Sequence, residues 1–107
     1  MYNLFLDDER QPEWVRSYQG DGSVYDTEDF TIVKSFNEFY IAIKEMGIPK
    51  FVSFDYQIIG DKNGLECAKF LKFECEELGV DIPEYSVHSG WPGIRGSFYD
   101  ILTEKED

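Results

Sequence analysis

Four short, mostly apolar runs punctuate the chain, and the residues at the end of each run are as informative as the run itself. Tyr2-Asn3-Leu4-Phe5-Leu6 stops abruptly at Asp7-Asp8-Glu9-Arg10, the profile of a buried strand that exits into polar chemistry. Phe30-Thr31-Ile32-Val33-Lys34 is β-branched and aromatic enough for a second strand. Phe51-Val52-Ser53-Phe54 forms a third, again finishing in a carboxylate, Asp55. Tyr85-Ser86-Val87-His88, set off by Pro83, is the fourth.

Helical periods fill the gaps between these strands. Ser35 with Glu38 three residues on makes a capping box, and Phe36, Phe39, Tyr40 and Ile43 then recur at helical spacing until Gly47. Gly60, Asp61 and Asn63-Gly64 form a loop into a second helix, whose stripe is Leu65, Ala68, Leu71, Cys75 and Leu78 and whose C-cap is Gly79. Ser89 to Gly96 reads as a glycine-rich turn, and Ser97 to Thr103 as a last short helix before an acidic end. Residues 11–29 hold Pro12, Gly20, Gly22 and five acids with no sustained period, hence a long loop, and loops of that length in compact domains are usually functional.

Strands alternating with helices at these lengths imply right-handed βαβ crossovers and a parallel sheet. The expectation is one receiver-like, flavodoxin-like α/β domain over residues 1–107, three-layered, with about four parallel strands and helices on both faces. In such sheets ligands sit outside the carboxyl ends of the strands, near the place where strand order reverses. That edge collects Asp7, Asp8, Asp55, His88 and Ser89.

Charge changes the picture on partners. Twenty-two acids against ten Lys and Arg give a net charge of -12, with the bases scattered along the chain, so a nucleic acid would be repelled and direct binding to one is not expected. No apolar run approaches the length of a membrane span, and the first residues lack a signal-type pattern, which points to a cytoplasmic protein. Cys67 and Cys75, eight residues apart on one helix and so about 12 Å apart, cannot bridge each other and fit a reducing compartment.

Three carboxylates from two strand ends, Asp7, Asp8 and Asp55, suit a hard divalent cation, Mg²⁺ with Mn²⁺ as its nearest substitute, because such ions take oxygen ligands and bridge to substrate phosphate. Ser89 and Arg95 in the glycine-rich turn would address an anion. His88, the single histidine, would serve acid–base chemistry at the same edge.

These pieces, in this order, resemble the receiver-like domains described as cyclic-phosphate processing, truncated relatives of two-component receivers. The resemblance is carried by Leu4-Phe5-Leu6-Asp7-Asp8-Glu9-Arg10 with Pro12, Val33-Lys34-Ser35-Phe36-Asn37-Glu38, Ser53-Phe54-Asp55, Asn63-Gly64-Leu65, and His88-Ser89 followed by Gly93. It implies a metal-assisted phosphoesterase or a binder of cyclic phosphates or nucleotides. Asp7, Asp8 and Asp55 would hold the ion and His88 and Asp55 would do the chemistry, with Arg10, Ser89, Trp91 and Arg95 on the ligand. The family's third strand typically continues Asp-His-Asp-Leu and places an Asn two positions after His-Ser, whereas this chain reads Asp55-Tyr56-Gln57-Ile58 and Trp91. Two alternatives therefore stay open. One is a catalytically silent acidic module of the kind a phage encodes to engage a host protein. The other, ranked last, is a receiver phosphorylated on Asp55.

Overall fold

A computed structural model of the protein describes residues 2–8, 30–88 and 93–103. Its strands are β1 (Asn3–Leu6), β2 (Phe30–Val33), β3 (Phe51–Phe54) and β4 (Glu84–Val87), and its helices α1 (Phe36–Met46), α2 (Gly64–Leu78) and α3 (Ile94–Thr103). The four strands form one parallel sheet in the order β2-β1-β3-β4, a receiver-like α/β arrangement. The chain moves outward from β1 to β2, then crosses back to β3 on the other side, so strand order reverses between β1 and β3.

The helix boundaries follow from side chains that satisfy orphaned backbone groups. At the start of α1 the Ser35 Oγ accepts from the Glu38 N–H at 3.1 Å, and the Glu38 carboxylate accepts from the Lys34 N–H at 3.0 Å. At the start of α2 the Asn63 Oδ1 accepts from the Leu65 and Glu66 N–H groups at 2.9 and 3.3 Å. Gly79 closes α2 in the left-handed region at φ 69°, which lets the Val80 N–H return to the Cys75 carbonyl at 3.0 Å.

Side-chain alternation sends Leu4, Leu6, Val52, Phe54 and Val87 to one face of the sheet, where they pack with Phe39, Ile43, Leu71, Phe98 and Leu102. Among the described residues helices cover one face of the sheet rather than the expected two, and all three contribute to that one core. Phe54 is its centre, with Phe39, Phe98 and Tyr85 at ring distances of 6.1, 5.1 and 6.3 Å. Cys67 and Cys75 are buried in the same cluster as free thiols. None of the described helices is long and apolar enough to cross a membrane.

Two of the differences from the expected boundaries concern candidate site residues. β4 ends at Val87, and His88 comes next with its N–H still donating to the Phe54 carbonyl at 2.9 Å. α3 starts at Ile94, so Arg95 and Gly96 sit in a helix rather than in a glycine-rich turn. The stripe Ile94, Phe98, Leu102, all buried and spaced by four, outweighs the poor helix propensity of one glycine.

Candidate functional site

Each of three adjacent strands delivers one polar side chain at the residue just past its end: Asp7 after β1, Asp55 after β3 and His88 after β4. The registers Phe5 with Ser53 and Phe54 with Val87 make these three residues a single row across the sheet, on the face opposite the main core. A ligand atom from each can be chosen such that all three lie within 4.8 Å of one another, and all three residues are buried, Asp7 to 1% exposure, Asp55 to 4% and His88 to 1%. This is the edge at which strand order reverses, the usual ligand position in an open parallel sheet.

Beneath the row the contacts become specific. The His88 ring reaches across β3 toward β1: its Nε2 lies 2.9 Å from the Asp7 Oδ2, and its Nδ1 lies 2.6 Å from the Ser53 Oγ. Phe5 stacks flat against the imidazole, with 4.6 Å between centroids and 6° between planes. Ser53 itself is fully buried. Asp55 is oriented from its own backbone side, its Oδ1 accepting from the Tyr56 N–H at 2.8 Å.

Chemically, two carboxylates at one shielded edge can hold a divalent cation, since burial in low dielectric makes a lone pair of like charges costly and a cation between them favourable. The donor set fits a hard ion through Asp7 and Asp55. The imidazole is the softer member of the trio, the type of ligand preferred by zinc, copper or nickel rather than magnesium or manganese.

Of the residues nominated from sequence, Asp7, Asp55 and His88 come together. Asp8, half-buried beside Asp7 in the chain, is not part of the group within 4.8 Å. Arg95 is exposed on α3 and lines an open groove of about 420 Å³ along β4 with Tyr85, Ser86, Val87, Gly96 and Tyr99, none of them in the carboxylate–histidine row. Arg10, Ser89 and Trp91, and the loop over 11–29, lie outside the described residues. Two contributors were missed as individuals, Ser53 and Phe5. Ser53 left a readable signal, a lone hydroxyl inside an apolar strand, because a fully buried hydroxyl needs a partner.

No curated protein matches the chain. The profile of one family, described as the cyclic-phosphate processing receiver domain, matches residues 2–104. With a four-stranded parallel receiver-like sheet and an acidic cluster at its switch point, the chain belongs to the cyclic-phosphate processing receiver domain family.

Proposed function

We propose that the protein binds a divalent cation, Mg²⁺ or Mn²⁺, at Asp7 and Asp55 with Asp8 beside them, and uses it to engage a cyclic phosphate of nucleotide type, as a binder or as a phosphoesterase. The observation that carries this reading is the buried row of Asp7, Asp55 and His88 at the reversal point of the sheet. Family membership supplies the ligand class, a cyclic phosphate.

When bound, the ion would offset phosphate charge and lower the pKa of a coordinated water. The chain's own contributions are orientation and exclusion of solvent. Asp55 is held by the Tyr56 N–H and Asp7 by His88, so both carboxylates present themselves in fixed directions. Arg10, Ser89 and Trp91 are the groups that would contact the ligand's phosphate and base, by charge, hydroxyl and stacking. Tyr56 and Gln57 stand where the family more often carries His and Asp, so binding rather than fast turnover is the property this chain is built to retain.

The test is incubation of the purified protein with 2′,3′-cyclic nucleotides and related cyclic phosphates, with Mg²⁺ or with chelator, following both ligand binding and ester products. Chelator-sensitive binding, with or without product, supports the reading. Binding that ignores chelator, or none to any cyclic phosphate, would overturn it. In the latter case the acidic protein-binding alternative would take its place.

A further inference from the structure

His88 is the single histidine of the chain, and in this structure both of its ring nitrogens already face partners inside the fold. An ionised carboxylate only accepts hydrogen bonds, so the 2.9 Å approach of Asp7 Oδ2 requires the proton on Nε2. The hydroxyl 2.6 Å away on Ser53 can donate or accept, so it meets the hydrogen-bonding need of Nδ1 and anchors that side of the ring. Phe5, stacked at 4.6 Å, prevents the ring from turning out of this plane. Asp7, Ser53 and Phe5 thus hold the ring in one orientation, with Nε2–H directed at Asp7.

A nitrogen that carries a proton cannot ligate a metal. We infer that Ser53 and His88 are positioning residues: Ser53 anchors the His88 ring at Nδ1, His88 donates from Nε2 to Asp7, and the proposed ion meets carboxylate oxygen only. The apparent metal trio is therefore two ligands and their support. This inference rests on the proposed function for its metal, but not for its hydrogen bonds. Its chemical consequence is selectivity, since an oxygen-only first sphere favours Mg²⁺ and Mn²⁺ over Zn²⁺, whereas an inner-sphere imidazole would reverse that order. Outer-sphere partners of this kind typically govern metal affinity by about 10–100-fold.

Having one histidine makes the test clean. The ¹⁵N shifts of the two ring nitrogens, recorded on the metal-free protein, distinguish a nitrogen bearing hydrogen from one offering a lone pair. The expected spectrum has hydrogen on Nε2. A lone pair on Nε2 in the metal-free protein would overturn the inference, whether or not any metal binds. On adding Mg²⁺, Nε2 keeps its hydrogen, and its conversion to a coordinated lone pair with Mg²⁺ or Mn²⁺ would equally overturn it.

Ser53→Ala removes the partner of Nδ1. The expected result is a displaced Nδ1 resonance and a loss of about tenfold in Mg²⁺ affinity by calorimetry, with Ser53→Thr restoring both. Unchanged ring shifts in Ser53→Ala would sink the role given to Ser53. A protein that shows the expected Nε2–H but binds no Mg²⁺ would refute the metal reading and leave the hydrogen-bond assignment intact, so the two failures are distinguishable.

Discussion

Gly64 opens α2 directly against the backbone of Asp55: its N–H donates to the Tyr56 carbonyl at 2.7 Å, and a Cβ at this position would collide with the Asp55 carbonyl oxygen. The same added carbon would lie 3.1 Å from the Phe98 ring. The start of one helix and the position of one site carboxylate are thus a single packing problem. Gly64→Ala should destabilise the fold by about 1–3 kcal/mol, because backbone must move to admit the methyl group. It should also weaken Mg²⁺ binding through Asp55. Chemical denaturation and calorimetry on the same variant check both, and an unaltered denaturation midpoint would contradict the close approach.

The carboxylates should not contribute equally. Asp7→Asn and Asp55→Asn each remove charge from the shielded row and should lower Mg²⁺ affinity at least tenfold, or about 1.4 kcal/mol. Asp8→Asn, on a half-buried residue outside the group within 4.8 Å, should cost less. Titration of the three variants with Mg²⁺ decides this, and a larger loss in Asp8→Asn than in the other two would displace the centre of the site.

Two ion pairs on the helical side differ in how far water reaches them. Lys44 Nζ meets Glu74 Oε1 at 2.5 Å, and its ammonium lies 5.7 Å from the Tyr40 ring centroid and 5.9 Å from that of Phe70. The hydrogen bond to Glu74 raises the Lys44 pKa, and that carboxylate side chain is only 11% exposed. Lys69 and Glu66 lie 3.8 Å apart with both side chains in solvent. Lys44→Met should therefore lower the melting temperature more than Lys69→Met, since only the first leaves a shielded carboxylate without its cation. Adding Glu74→Leu to Lys44→Met should recover part of the loss, and thermal melts of the three variants test the order.

Alkaline pH should loosen the fold as thiols and phenols shielded by burial ionise, among them Cys75 and Tyr2. Burial pushes the Cys75 thiol from its ordinary 9.0 to about 11, and the Tyr2 hydroxyl from 10.0 to about 12. Both groups are held in the protonated form when folded. The stability linked to Cys75 is fully present below pH 9.0 and lost as pH rises through about 11, and that linked to Tyr2 is present below 10.0 and lost through about 12. The Tyr2 hydroxyl also donates to the Gly47 carbonyl at 2.6 Å, tying the start of β1 to the end of α1. Tyr2→Phe should cost about 1 kcal/mol at neutral pH and flatten the upper part of the alkaline decline. Melting temperature recorded against pH for both proteins checks the sign and the window.

Much of the fold was legible because the signals were local. Apolar runs that end in Asp7 and Asp55 marked strands with polar exits, Ser35 marked a helix start by offering oxygen to a free N–H group, and Gly79 marked a stop by accepting a left-handed backbone. Where a local preference competed with packing the outcome was less clear. Gly96 argued for a turn, and the buried face of Ile94, Phe98 and Leu102 made it helix.

The sequence by itself determined which residue types arrive at the carboxyl edge, since a strand's end is written in its own neighbours. Only the tertiary structure decided who meets whom there. The order β2-β1-β3-β4 sets Asp7 and His88 on opposite sides of β3, and the small side chain of Ser53 leaves space for the imidazole to cross to Asp7, 81 residues away in the chain. Hydrogen bonds over that separation depend on register and on what the intervening strand leaves open, and neither is encoded in any one segment.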